Sequence, residues 1–105
     1  MTAYFMDRII EIEARFSSVE GGGRQQPPDL KAGTYRPHLC VPPQRTLLGI
    51  EFVDGPLKIQ ANVPFRATVR TLYAAVDYSP LDVGVYFDIV EGSKIVGHGT
   101  VIRSI

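Results

Sequence analysis

The last quarter of the chain contains two short runs in which apolar and polar residues alternate, and this pattern limits the possible folds more than any other feature. Residues 87–90 and 95–101 flank a turn segment at 91–94. Side chains on a strand point alternately to its two faces, so the pattern predicts a β-hairpin with one buried face. The residues expected to point inward on its first arm are Val83, Val85, Phe87 and Ile89.

The same alternation recurs upstream. It predicts strands at residues 10–17, 48–52, 57–63 and 65–73, and a shorter one within 35–41. A helix over the first of these runs would place Glu13 on its apolar stripe, which favours the strand. Turn sequences such as Asp54-Gly55-Pro56 separate the runs. Several short strands with regularly spaced turns predict an all-β fold, either a small antiparallel barrel or a sandwich.

A chain of 105 residues is long enough for one modest core, so a single domain over 1–105 is expected. Residues 1–8 carry no pattern and are predicted to be a loosely ordered lead-in. Residues 20–46 hold five of the eight prolines and four of the ten glycines, and they predict a long irregular region.

The charge balance and the single cysteine narrow the function classes. Lys and Arg total 11, as do Asp and Glu, and this net charge of zero argues against a protein that relies on phosphate attraction. Cys40 alone can form neither an intramolecular disulfide nor a zinc–thiolate cluster. With no secretion signal and no apolar run of ~18 residues, we expect a cytoplasmic protein without membrane association.

The residue types that carry chemistry form no recognisable catalytic set. His38 and Cys40 would share a strand face, but no third group that could orient the histidine lies at a recognisable spacing. His98 is open to surface exposure or to a metal site with His38, and the surface reading is favoured because no carboxylates are placed beside them. We therefore predict a protein that is not an enzyme, with no metal and no cofactor.

Three local features are candidates for binding. Gly21-Gly22-Gly23-Arg24 could hold a phosphate or could be a flexible connection. A basic stripe is predicted from Lys58, Arg66 and Arg70 on consecutive strands, where it could follow an RNA backbone or be a solvated face. Tyr73, Tyr78 and Tyr86 lie in or near one connection and could form a protein interface.

Three motifs in fixed order give the chain a resemblance to a known family. They are Glu20-Gly21-Gly22-Gly23-Arg24, Tyr35-Arg36-Pro37, and the closing hairpin with Glu91-Gly92 and Val96-Gly97-His98-Gly99. Over residues 11–105 the sequence resembles the C-terminal (third) β-barrel domain of elongation factor Tu, here without the GTPase domain. The resemblance implies a six-stranded antiparallel Greek-key barrel.

The resemblance also implies a binding surface for a protein partner or tRNA. The candidate residues are Gly23, Arg24, Tyr35, Arg36, His38, Glu91 and Gly92. The chain has Gln25 where the family has histidine, and His38 where it usually has glutamine. No phosphate-cradling loop is present, so GTP hydrolysis is not expected.

From these observations we expect a non-catalytic binding module that engages a protein partner. The first alternative is a tRNA-binding or structured-RNA-binding domain, in which Arg24 acts together with the basic stripe. The second is a structural subunit of a homo-oligomer or of a translation-related assembly.

Overall fold

A computed structural model of the chain describes residues 7–105. Within this range the chain forms six strands and no helix, so no helical segment there could cross a membrane. The strands are β1 (Ile9–Phe16), β2 (His38–Cys40), β3 (Leu48–Asp54), β4 (Phe65–Thr71), β5 (Tyr86–Glu91) and β6 (Lys94–Ser104).

The six strands close into a barrel in the order β1-β4-β3-β2-β5-β6, with β6 pairing back to β1. Every pairing is antiparallel. Strands β2, β3 and β4 follow one another, and β5 returns to lie beside β2, which is the Greek-key arrangement. The predicted all-β, six-stranded antiparallel Greek-key barrel is therefore confirmed.

The alternating residues of β1 fill the barrel as predicted. Ile10, Ile12, Ala14 and Phe16 are between 0% and 4% exposed. At the end of the barrel where β1 finishes, Phe16 lies 5.9 Å from the ring of Tyr35, which itself stacks 5.3 Å from Phe52. This aromatic layer closes the core beneath the loops that follow β1.

Strand direction sorts the connections into two groups. Residues 17–37, 55–64 and 92–93 lie where β1, β3 and β5 finish, and we call this the loop end. Residues 41–47 and 72–85 lie at the opposite end together with Arg8, and we call this the anchor end. Each end receives one leucine from a connection, because Leu30 is 1% exposed at the loop end and Leu81 is 0% exposed at the anchor end.

Hydrogen bonds tie the anchor end to the barrel. The Arg8 guanidinium donates to the carbonyl oxygens of Tyr78 and Leu81, both at 2.9 Å. The buried Tyr78 hydroxyl donates to the Gly49 carbonyl at 2.6 Å and accepts from the amides of Leu72 and Tyr73. Of the predicted lead-in 1–8, residues 1–6 lie outside the described part of the chain, and Arg8 is bound firmly.

The predicted strand at 57–63 is wrong. The segment is an irregular connection in which Leu57 is 87% exposed and Asn62 has a positive φ of 64°. The Asn62 amide donates to the Phe16 carbonyl at 2.7 Å, which ties the segment across the barrel mouth. Because six strands already close the barrel, no strand edge remains for a seventh to pair with.

Two smaller expectations also need correction. Val83 does not point inward but is 62% exposed in a turn, because β5 begins only at Tyr86. The strand predicted within 35–41 is assigned only to His38–Cys40. The residues just before β2 already pair with β3. The Tyr35 carbonyl accepts from the Phe52 amide, and the Pro37 carbonyl accepts from the Ile50 amide.

Candidate functional site

Arg24, Tyr35 and Glu91 meet at the loop end and form what we call the polar cluster. One carboxylate oxygen of Glu91, Oε2, accepts from Arg24 Nη1 at 2.5 Å and from the Tyr35 hydroxyl at 2.5 Å. The Arg24 guanidinium carbon lies 5.0 Å from the centre of the Tyr35 ring, within cation–π range. Three residues taken from three separate sequence motifs therefore contact one another directly.

The cluster has the electrostatics of a tight, partly buried hydrogen-bonded group. Burial raises the pKa of the Tyr35 phenol far above its usual value, and the hydrogen bond and negative charge of Glu91 raise it further. Burial lowers the pKa of Arg24, but its hydrogen bond to Glu91 and the carboxylate charge outweigh this, so the net shift is upward. Tyr35 therefore stays neutral and donates, while Arg24 and Glu91 form a charged pair.

The glycine-rich segment before Arg24 uses its own amides internally. The amides of Gly21 and Gly23 donate to the Ser18 carbonyl, and that of Gly22 donates to the Val19 carbonyl. Gly23 lies so close to the preceding chain that a Cβ there would overlap the Ser17 carbonyl oxygen. This supports the reading of the segment as a connection, because its amides do not converge on an open phosphate site.

The closing hairpin turn completes the cluster. Gly92 has a positive φ of 62°, a conformation that side chains rarely adopt, and it lets the chain reverse directly after Glu91. Lys94 on the other arm donates to the Gly23 carbonyl at 3.1 Å. The two loops that the resemblance pointed to are thus joined to each other by contacts on both sides of the turn.

Arg36 and His38 lie outside this cluster. Arg36 pairs with Glu51 at 2.9 Å on the outer wall of the barrel, and Arg70 binds the other oxygen of the same carboxylate at 3.1 Å. Glu51 is only 5% exposed, so the two guanidinium groups balance a buried charge. His38 is half-buried on β2 between Gly49 and Val90.

The predicted basic stripe does not form on two consecutive strands. Lys58 lies in the irregular connection, and Arg66 pairs with Glu11 at 3.3 Å. Arg70 is committed to Glu51. Two of the three cations therefore face carboxylates across the strands, which leaves a largely neutralised wall.

The register of the sheet places the two histidines opposite different residues of β5, while Cys40 lies opposite Asp88. His98 pairs with Asp88 on β5, whereas His38 pairs with Val90, and among residues 7–105 no group of three His, Cys, Asp or Glu could hold a metal ion. The Cys40 thiol donates to the Gln44 carbonyl at 3.1 Å. His98 Nδ1 instead lies 2.6 Å from the Tyr86 hydroxyl and 2.9 Å from Asp88.

The predicted tyrosine interface is not a single patch. Tyr78 is 4% exposed and bonded to the backbone, whereas Tyr73 and Tyr86 are 52% and 47% exposed. Tyr86 belongs to the cross-strand group with Asp88 and His98, which sequence reasoning missed. The sequence feature that could have revealed this group is the two-residue spacing of Tyr86 and Asp88, which places both side chains on one face of β5.

An apolar groove lies beside the polar cluster and was also not foreseen. It has a volume of about 330 Å³, and Val19 at its wall is 53% exposed. Its apolar lining comes from Phe16, Val19, Pro27, Ile59 and Ala61, and its polar lining includes Glu20, Arg24 and Gln25. A second concavity of about 550 Å³ shares Pro27 and Ile59 with the groove and contains Leu57.

The resulting surface combines a paired polar cluster with exposed apolar side chains. Exposed apolar groups rimmed by polar residues are typical of interaction sites. No protein-family model matches the chain, and no curated protein matches it either. The function is therefore inferred from the geometry of the chain itself.

Proposed function

We propose that the chain is a non-catalytic binding module, similar to the third β-barrel domain of elongation factor Tu, and that its loop end engages a protein partner. The observation that carries this proposal is the apolar groove beside the polar cluster. Val19 in the groove and Leu57 in the adjoining concavity are 53% and 87% exposed, although burying apolar side chains away from water is favourable. A partner that covers them would recover that free energy.

The polar cluster suits the rim of such an interface. The side chains of Arg24 and Glu91 are 31% and 30% exposed, and their mutual pairing holds the loops in place without a ligand. Preorganised loops lose less conformational entropy when they bind. Arginine and tyrosine are also enriched among the residues that contribute most to protein interfaces.

The charge arrangement favours protein over RNA. Arg24, Arg36, Arg66 and Arg70 each pair with a carboxylate of the chain, and the formal net charge is zero. Binding to a phosphate backbone would have to break these pairs or find other cations, while the affinity of most RNA-binding proteins comes from unpaired positive charge.

The test is affinity capture of the tagged chain from its native lysate after nuclease treatment. We expect a protein to be captured by the wild-type chain and to be lost with Leu57→Asp, which places a charge on the exposed apolar surface. Val83→Asp, at an equally apolar and 62% exposed position of the anchor end, is the matched control and should retain the partner.

Two results would contradict the proposal. One is capture that disappears with nuclease and at high salt, which would favour RNA. The other is capture that survives Leu57→Asp but not Val83→Asp, which would move the binding surface to the anchor end.

A further inference from the structure

The loop end carries an exposed apolar side chain, Leu57, and an apolar groove that could receive such a side chain. Leu57 projects with 87% of its surface exposed. The apolar groove lies next to it, because the groove and the concavity that contains Leu57 share Pro27 and Ile59. An apolar side chain suits an apolar groove, but Leu57 does not occupy the groove of its own chain.

Each feature carries a charge that pairs with no residue between positions 7 and 105, and these two charges are opposite. Glu20 lines the groove and Lys58 lies next to Leu57, and both are exposed. Of their charged neighbours, Arg24 in the groove pairs with Glu91, and Asp29 beside Leu57 accepts from the Lys31 amide. A partner for this surface should bring an apolar side chain with a cation to the groove and an acidic, apolar recess to Leu57.

We propose that this partner is a second copy of the chain. In a pair related by a two-fold axis near Pro27 and Ile59, Leu57 of each copy enters the groove of the other, and Lys58 of each faces Glu20 of the other. Such an interface is isologous, since one patch supplies both halves of every contact. The inference rests on the proposed function, and it names the partner of the loop end.

The chain's overall charge is compatible with this pairing. With 11 basic and 11 acidic residues, two copies experience no long-range repulsion as they approach. The pairing also buries the most exposed large apolar side chain of the described residues against Val19 and its neighbours. The symmetry doubles each of these contacts.

The first experiment is sedimentation velocity of the purified chain over a wide range of concentrations. We expect a monomer–dimer equilibrium, and we expect Leu57→Asp to weaken it by at least about tenfold. Leu57→Ser removes the apolar side chain without adding a charge that could disturb folding, and it should also weaken dimerisation. Val83→Asp is the control and should leave the equilibrium unchanged.

The second experiment tests the charge contacts through the symmetry. Glu20→Lys and Lys58→Glu should each weaken self-association by about two- to tenfold, in line with exposed ion pairs. An equimolar mixture of these two variants should associate as well as the wild type, because each copy then meets an opposite charge at both contacts. Failure of the mixture to recover would overturn the proposed arrangement.

The outcomes separate this inference from the proposed function. A wild-type chain that remains monomeric at every concentration overturns the dimer. If Leu57→Asp still abolishes capture of a different protein in that case, the loop end remains a protein-binding surface. A dimer that is insensitive to Leu57→Asp but sensitive to Val83→Asp overturns the dimer inference as stated and the choice of the loop end for this contact.

Discussion

The anchor end and the loop end of the barrel are held together by different kinds of contact. At the anchor end, Arg8 and Tyr78 bind backbone carbonyls and amides, so the connections are fixed to the barrel frame. At the loop end, Arg24, Tyr35 and Glu91 bind mainly one another, and apolar side chains such as Leu57 remain in water. The first arrangement completes the fold, whereas the second leaves a surface available to a partner.

This difference predicts which substitutions should change the free energy of unfolding and which should change binding. Substitutions of buried residues at the anchor end should change the free energy of unfolding with no effect on the groove. Substitutions on the exposed surface of the loop end should do the reverse.

The largest effects are expected at the two leucines that plug the barrel ends. Leu81→Ala and Leu30→Ala should each lower the free energy of unfolding by about 2–5 kcal/mol, because both side chains are fully buried and truncation leaves a cavity. Urea unfolding followed by tyrosine fluorescence measures the loss. A negligible loss for Leu30→Ala alone would mean that the loop end is not packed onto the barrel as described.

Tyr78→Phe should cost about 1–2 kcal/mol of unfolding free energy. The change removes the hydroxyl that donates to the Gly49 carbonyl at 2.6 Å and leaves the Tyr73 amide without its acceptor, while the Gly49 carbonyl keeps its bond from the Leu72 amide at 3.3 Å. The same urea experiment measures it, and binding at the loop end should be retained. A cost of less than about 0.5 kcal/mol would show that the anchor end does not depend on this bond.

Gly23→Ala should destabilise the loop end by about 1–3 kcal/mol, because the new methyl group would overlap the Ser17 carbonyl and force the loop to shift. Gly21→Ala is the control, since a Cβ there meets its nearest neighbour, Ser18 Oγ, at an ordinary 3.5 Å. Loss of partner capture with Gly23→Ala but not with Gly21→Ala would show that binding depends on the position of this loop. Equal stability of the two variants would contradict the close approach.

Tyr35→Phe should cost about 1 kcal/mol near neutral pH by removing the hydrogen bond to Glu91. The folded state raises the pKa of Tyr35 above its ordinary value of 10.0, so the unfolded chain ionises first at alkaline pH. The stability contributed by the phenol is therefore complete below pH 10.0 and is lost as pH rises above it. The gap between wild type and Tyr35→Phe should shrink over that range, and a gap that widens would contradict the assignment.

The smallest effects on stability are expected at exposed apolar positions. Leu57→Ser and Val83→Ser should each change the free energy of unfolding by less than about 0.5 kcal/mol, since both side chains are already in water. Only Leu57→Ser should weaken association. Equal effects on association would remove the distinction between the two ends.

The barrel wall could be predicted well from the sequence, while the segment at 57–63 could not. Both show period-two alternation, and β1 follows it in every residue from Ile10 to Phe16. The alternation at Leu57, Ile59 and Ala61 has the same form, but the six strands that close the barrel leave this segment no neighbouring strand to pair with. Apolar–polar alternation predicts a strand wherever it occurs in the sequence. Whether a neighbouring strand is present to pair with that segment depends on the arrangement of the whole barrel.

The candidate site divides in a similar way. The resemblance directed attention to Arg24, Tyr35 and Glu91, and the structure brings these three into contact. The resemblance also put Arg36 in this set, although in the structure Arg36 pairs with the buried Glu51 on the barrel wall. Sequence spacing cannot show which carboxylate an arginine will reach, because the partners lie on strands distant in sequence.

The sequence by itself determined that the chain would form short antiparallel strands, since side-chain alternation and turn residues act over only a few positions. It also determined the balanced charge and the position of the glycines that allow close approach, such as Gly23. The tertiary structure alone decided the barrel closure, the meeting of Arg24 with Glu91 and the exposure of Leu57. These depend on contacts between residues far apart in the chain, and such contacts form only when the whole barrel is assembled.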